Sequence, residues 1–326
     1  MKPYNALMRT VSLGVLMAIA GPVTAQQDYP SKPIRVITPY APGGSTSILA
    51  RLVGQKLTES WGQQVIVENR PGGNTVIGTE SLAKSPPDGY TIMLTSNTLV
   101  INPNLIPNLP YDPIKDFAPI GTVSRVEFVL VVHPAVPANN LQELIALAKA
   151  RPGQLNYATP GSGGPGHLAT EIFSVMTGVK MQHIPYKGGG AALIDLVGGQ
   201  VQLCFATPLE FAPHINSGKL KGIAVSGEVR LPSLPQVPTF TEAGLPGLDI
   251  AFWQGIFAPA GTPKAVIEKI STELARILAM PVTREKLVFQ GMEPFINTPE
   301  QFAALIKADL AKFSKVIKAA NIKLEN

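Results

Sequence analysis

PYAPGGSTS, residues Pro39–Ser47, is the stretch on which the fold turns. It follows the apolar run Ile34–Thr38 (IRVIT), which predicts a strand. It precedes Ile48, Leu49, Leu52, Val53 and Leu57, which recur on one face of a predicted helix. Glycines in such a turn let backbone N–H groups approach a ligand closely, and the helix start adds partial positive charge. A second turn, Ala158–His167 (ATPGSGGPGH), has the same setting in the other half of the chain. One such turn is a candidate anion site. Two of them predict a pair of jaws around one small acid.

Strand and helix alternate outward from both turns. Val65–Glu68 and Tyr90–Thr95 predict the second and third strands, with a helix running to Ala83 between them. This βαβαβ order predicts a parallel sheet with right-handed crossovers. A second series runs from about Leu141 to Val225, with a helix at Leu141–Ala150. Its strands are expected at Leu155–Thr159, Met181–Pro185, Val201–Phe205 and Leu220–Val225. Thr207, Pro208 and Glu210 spell a capping box for a helix to Asn216, and Thr298-Pro299-Glu300-Gln301 repeats that logic. Thr262-Pro263 opens a helix through Leu278. Gly121–His133 and Ile250–Pro259 are long apolar runs at the edges of the second series. Core strands would look the same, but the preferred reading makes them two chain crossings between domains. Domain 1 is then 26–124 plus 250–326, and domain 2 is 125–249, closing on a ligand through a two-crossing hinge.

Residues 1–25 read as a signal peptide. Lys2 and Arg9 precede the apolar stretch Val11–Ala20, which is too short to span a bilayer. Val23-Thr24-Ala25 supplies small residues for cleavage before Gln26, which predicts a periplasmic protein with no direct membrane anchor. The net charge is +5, and removal of Lys2 and Arg9 leaves +3. Lys and Arg are scattered, which argues against nucleic acid as a partner. Charged residues make up 15% and mean hydropathy is +0.18, so the chain is not disordered. Cys204 is the lone cysteine; it excludes an internal disulfide and sits in an apolar strand as a buried thiol.

Several chemistries are weakened by what surrounds the turns. Gly161–Gly166 (GSGGPG) matches a dinucleotide fingerprint by spacing. The next strand, however, ends in His183-Ile184-Pro185-Tyr186-Lys187 without the confirming acid. No Walker-type phosphate loop and no G-x-S-x-G elbow occurs. His133, His167, His183 and His214 are dispersed without zinc-like spacing, so no metal and no cofactor is implied. His167 opens the helix after the second turn and is a candidate donor to a ligand carboxylate; a capping role fits it equally. Ser45, Thr46 and Ser47 serve as helix caps or ligand donors, roles that are compatible. Asn97 follows the third strand at the sheet edge where open α/β sheets hold ligands, though Asn also favours turns. Tyr40, inside the first turn, is a candidate apolar wall. Arg70 is given a structural role and Lys187 a solvated one.

With these residues in place, the chain resembles the periplasmic solute-binding proteins of tripartite tricarboxylate transporters, the Bug or TctC-like family. The resemblance is carried by YPSKPIR (Tyr29–Arg35), PYAPGG (Pro39–Gly44), ENRPGG (Glu68–Gly73) and PDGYT (Pro87–Thr91). PYKG (Pro185–Gly188), GGQV (Gly198–Val201), EAGLPG (Glu242–Gly247) and FAPAGTP (Phe257–Pro263) extend it over the mature chain. The resemblance implies an α/β, two-domain Venus-flytrap fold with a helix-flanked sheet in each domain. It implies a monomer that delivers a small carboxylate to a membrane permease. It also implies that Gly43, Gly44, Ser45, Thr46 and Ser47, with Gly161, Ser162, Gly163 and Gly164, hold a ligand carboxylate through N–H groups, hydroxyls and waters. Many members carry Asp where this chain has Ser47, and often where it has Ala206. Ser accepts weakly and Ala not at all, so a ligand without an amino group is expected, such as a di- or tricarboxylate or an aromatic acid. Two alternatives remain: an exported serine hydrolase using Ser162 or Ser45, and a ligand sensor docking a signalling receptor.

Overall fold

The computed structural model describes residues 29–186, 188–248, 250, 252–289, 291–319 and 322. The leader with its cleavage site, and Lys187, lie outside them. In chain order the elements begin β1 (Ile34–Thr38), α1 (Ser45–Trp61), β2 (Val65–Asn69), α2 (Val76–Ala83) and β3 (Thr91–Ser96). A short α3 (Thr98–Ile101) leads to β4 (Phe117–Val126) and β5 (Val129–Val132). Then come α4 (Leu141–Ala150), β6 (Asn156–Thr159), α5 (Pro165–Thr177), β7 (Gln182–Pro185) and α6 (Gly189–Val197). β8 (Leu203–Ala206), α7 (Pro208–Asn216) and β9 (Lys221–Val225) follow. The chain ends with β10 (Phe252–Pro259), α8 (Lys264–Ala279), α9 (Pro281–Phe289), β11 (Met292–Pro294) and α10 (Pro299–Ala319).

These strands form two sheets. The first has the order β11-β4-β10-β3-β1-β2 and the second β7-β6-β8-β5-β9. The expected parallel cores are present: β1 pairs in parallel with β2 and β3, and β6 with β7 and β8. The two long apolar runs explain themselves here. β4 and β10 are inner strands of the first sheet, and β10 is buried along its whole length. A strand covered on both faces needs a continuous apolar sequence rather than alternation. β10 enters antiparallel to β3 and β4, and β5 antiparallel to β8 and β9, so each sheet is mixed.

The chain leaves the first sheet at Glu127–Phe128, inside Gly121–His133, and returns to it with β10. The outward passage is tied down by polar contacts. Glu127 is 5% exposed; it accepts from Arg125 Nε at 2.7 Å and from Ser226 Oγ at 2.5 Å. Ser226 in turn bonds the backbone of Phe128 in both directions. Phe128 packs on Phe252 of the returning strand at 5.4 Å between ring centroids.

The two predicted capping boxes come out differently. Thr298 and Gln301 exchange backbone–side-chain bonds at 3.0 and 3.2 Å, as expected. Thr207 is the N-cap of α7, but its side chain makes no cap bond. Glu210 is instead laid against Gly189 at the start of α6, close enough that a Cβ there would overlap the carboxylate. Burial pushes the Glu210 carboxyl above its ordinary range. Tertiary packing has taken the acid away from its own helix start.

Candidate functional site

The first turn is built on Gly43, whose φ of +92° is a left-handed conformation that favours glycine. Gly44 caps α1 in an extended conformation, and its carbonyl accepts from Ile48 N–H at 3.0 Å. The first N–H groups of a helix have no intrahelical partner, which leaves those of Ser45 and Thr46 as candidate donors to an anion. Gly43 is exposed, and Gly44 and Ser45 are partly so. Thr46 is 5% exposed and Ser47 is fully buried.

Ser47 therefore does not present its side chain to an open cleft. Its Oγ accepts from Asn69 Nδ2 at 2.9 Å. The same amide nitrogen donates to the Tyr40 carbonyl at 2.8 Å, and Asn69 Oδ1 accepts from Arg51 at 2.9 Å. Ser47 pins the turn to the end of β2. Tyr40, expected as an apolar wall, is half-buried with its hydroxyl 2.7 Å from Ser96 Oγ. That hydroxyl also accepts from Ser96 N–H at 3.3 Å, so the side chain braces the turn against β3.

Asn97, just past β3, is 2% exposed, and its Oδ1 has no hydrogen-bond partner among the described residues. It lines a narrow crevice with Ile250 and with Pro165, Leu168 and Ala169 of α5. An unpartnered buried amide oxygen costs about 1–3 kcal/mol, so it calls for a donor from ligand or water.

The second turn repeats the first at the end of β6. Gly163 has φ +72° and Gly164 caps α5 in an extended conformation. Gly161, Ser162 and Gly164 are partly exposed, while Gly163 is buried. The turn is fastened on both sides. Thr159 Oγ1 donates to the Gly161 carbonyl at 3.0 Å, and Gly188 N–H donates to the Pro160 carbonyl at 3.0 Å.

Of the two roles open to His167, donor to a ligand or cap, its hydrogen bond is made to the turn backbone. It is 5% exposed, and its Nδ1 accepts from Gly163 N–H at 2.9 Å. The neutral ring then carries its proton on Nε2, which lies 4.0 Å from Glu171 Oε1. The ring stacks on His183 at 3.9 Å, and His183 stacks on Tyr157 at 5.0 Å. Burial, and then the neighbouring His183, pull the His167 pKa from 6.5 down to about 3. His167 is a neutral brace that fixes the left-handed Gly163, and it takes that N–H out of the anion-binding set.

Ala206 ends β8 at 5% exposure, inside an apolar cluster with Val129, Ala158 and Phe211. It offers no acceptor to the cleft. Both turns lie close to the crossings: a Cβ on Gly166, beside the second turn, would lie 3.9 Å from Phe128. Phe128 packs on Phe252, and two residues along β10 Gln254 reaches the first turn. Gln254 was missed by the sequence reading. Its signal was available: a lone amide inside the apolar run IAFWQGIFAP. Among the described residues no group of three or more His, Cys, Asp and Glu side chains could hold a metal ion, and no helix is long and apolar enough to cross a membrane.

Residues 49–322 match the family described as tripartite tricarboxylate transporter family receptor, TctC. The Bordetella pertussis protein BugT is 37% identical over 318 residues, covering 96% of this chain and 97% of its own. A solved periplasmic transporter is 41% identical at a TM-score of 0.84, covering 91% of this chain and 100% of that one. Rpa4515 of R. palustris, solved with adipate, is 34% identical at a TM-score of 0.85, with the same coverages of 91% and 100%. MatC from Rhodopseudomonas palustris, solved with bound malate, is 28% identical at 0.79, with coverages of 89% and 100%.

Proposed function

The chain belongs to the tripartite tricarboxylate transporter receptor family, whose members are periplasmic solute-binding proteins and not enzymes, and on that premise we propose that it captures a small dicarboxylate or tricarboxylate between its two lobes. The observation that carries this is the matched pair of helix starts, α1 and α5. Each follows a left-handed glycine at the carboxyl end of a parallel strand and presents unspent N–H groups. The site residues are Gly43, Gly44, Ser45 and Thr46 on one side, with Gly161, Ser162 and Gly164 on the other. Asn97 supplies an acceptor between them. Tyr40, Ser47, Gly163 and His167 hold the turns in shape. Two similar proteins carry adipate and malate in their solved structures, which supports the ligand class.

The ligand is proposed to lack an amino group. Ser47 is buried against Asn69 and Ala206 is apolar, so neither position gives a carboxylate to an ammonium. Domain 1 is proposed as 26–124 plus 250–326 and domain 2 as 125–249, closing about the two crossings. Export with cleavage after Ala25, action as a monomer and delivery to a tripartite-type permease complete the proposal. A thermal-shift panel of adipate, malate, succinate and citrate, set against aspartate and glutamate, tests the ligand class. A ligand that binds only the folded state raises apparent stability with the logarithm of its concentration over Kd. Stabilisation by the acids without an amino group is expected. Stabilisation by aspartate or glutamate alone would refute it.

A further inference from the structure

One buried amide joins the first turn to both strands on which the chain changes sheets. Gln254 is fully buried in β10, directly opposite Ser96 of β3 and Ser124 of β4. Its Oε1 accepts from Ser124 Oγ at 2.6 Å. Its Nε2 donates to Thr46 Oγ1 at 2.7 Å and reaches Ser45 Oγ at 3.4 Å. β4 leads out of the first sheet and β10 leads back into it, so this amide ties the ligand turn to the chain crossings.

We infer that Gln254 is a positioning residue that sets the Thr46 and Ser45 hydroxyls as donors and thereby makes the first turn selective for a carboxylate. The inference rests on the ligand class proposed above and adds what enforces it. A hydroxyl has one proton and two lone pairs. Thr46 and Ser45 accept from the Gln254 amide, so each keeps its proton for something else. No acceptor for either proton is paired with it among the described residues. The N–H groups at the start of α1 face the same space and are donors too. The first turn then aims hydroxyl protons and helix-start N–H groups at the ligand as donors, and a carboxylate is an acceptor only. The amide achieves this without charge, so it does not repel the anion it prepares for. An acid in its place would reverse both effects: the hydroxyls would turn inward to it, and a buried negative charge would stand behind the turn. With the amide turned over, Oε1 would take the Thr46 proton and the donor set would shrink; the experiment separates these two settings.

Titration calorimetry of the wild type, Gln254→Glu, Gln254→Met and Thr46→Val with adipate and with malate, at pH 8 and pH 5.5, tests this. A hydrogen bond to a charged group is worth enough that Gln254→Glu should weaken binding at pH 8 by about tenfold or more. That loss should partly recover at pH 5.5, as the introduced carboxyl takes up a proton. Gln254→Met should lose less than Gln254→Glu and show no such recovery. Equal, pH-independent losses in both variants would reduce Gln254 to a packing role and overturn the inference. So would Gln254→Glu binding within about threefold of the wild type, the result expected if the amide is turned over. Should Gln254→Glu fail to fold, Thr46→Val decides: unchanged affinity overturns the inference, and a clear loss supports it. A wild type that binds neither these acids nor succinate or citrate overturns the ligand class itself, and the role of Gln254 with it.

Discussion

His167 should make the protein lose stability as pH falls, through a mechanism that one substitution removes. The ring is 5% exposed, its Nδ1 is an acceptor for Gly163 N–H, and its pKa is held from 6.5 down to about 3 by burial and then by His183. The unfolded chain, with an ordinary histidine, binds a proton below pH 6.5; the folded chain resists until about pH 3. Below 6.5 the unfolded state therefore holds more protons, and stability falls with falling pH across that window. Each pH unit inside it costs about 1.4 kcal/mol, so at pH 5 the cost is about 2 kcal/mol relative to pH 7.5. The groups around the ring that also titrate are His183, Glu171 and Tyr157. His167→Asn keeps an acceptor near the Nδ1 position and removes the titration. Urea unfolding at pH 7.5 and pH 5 should show a drop about 2 kcal/mol smaller in this variant than in the wild type. Equal drops in both would refute the reasoning. So would an NMR titration of the His167 ring with a midpoint near its ordinary value of 6.5.

Three further outcomes follow from packing and burial. Gly255→Ala would drive a Cβ into the ring of Phe302, a fully buried residue that packs on Trp253 and Phe257; denaturant unfolding should show a loss of about 1–3 kcal/mol. Cys204 is buried and its thiol is pushed well above the ordinary range, by burial and then by Glu210, so a thiol reagent should be excluded from the native protein and react on unfolding. Asn97→Ala removes a buried amide oxygen that has no partner among the described residues, so denaturant unfolding should show no loss of stability while binding of malate weakens more than that of adipate. That order is expected because malate has a hydroxyl to donate and adipate has none.

The fold was legible where local pattern and tertiary demand agree. Leu141–Ala150 is helical over the predicted residues, and both glycine turns stand where strand, glycines and helix start coincide. Legibility failed where a distant partner decides. Glu210 was read as a cap for its own helix, but it packs on Gly189 of another. The sequence offers Ser47 as a helix cap or a ligand donor, but Asn69, on the strand after its own helix, takes its hydroxyl as an acceptor inside the fold. For His167 the sequence leaves donation to a ligand and a capping role equally open, and the Gly163 N–H, four residues back, donates to its Nδ1. In each case the residue was placed correctly on its element, and its side chain was claimed by a neighbour that periodicity does not reveal.

Both turns share one construction. The residues proposed to touch a ligand are small and carry donors on backbone and hydroxyl; the buried residues that fix them, Gln254 and His167, bond the turns from beneath. Gln254, 208 positions from Thr46, sets the first turn, and His167 sets the second by holding Gly163 left-handed. A site made this way gains little from any single ligand contact, because each N–H or hydroxyl bond replaces one to water. Its affinity comes from having the donors pre-aimed, so that binding costs little ordering. Substitutions beneath the turns should therefore weaken a ligand at least as much as substitutions within them. The braces differ in reach: His167 acts within its own sheet, whereas Gln254 bonds Ser124 on the strand that leaves the first sheet. The first turn is thus hydrogen-bonded through Gln254 to the crossing strands, and a Cβ on Gly166, at the start of α5, would lie 3.9 Å from Phe128.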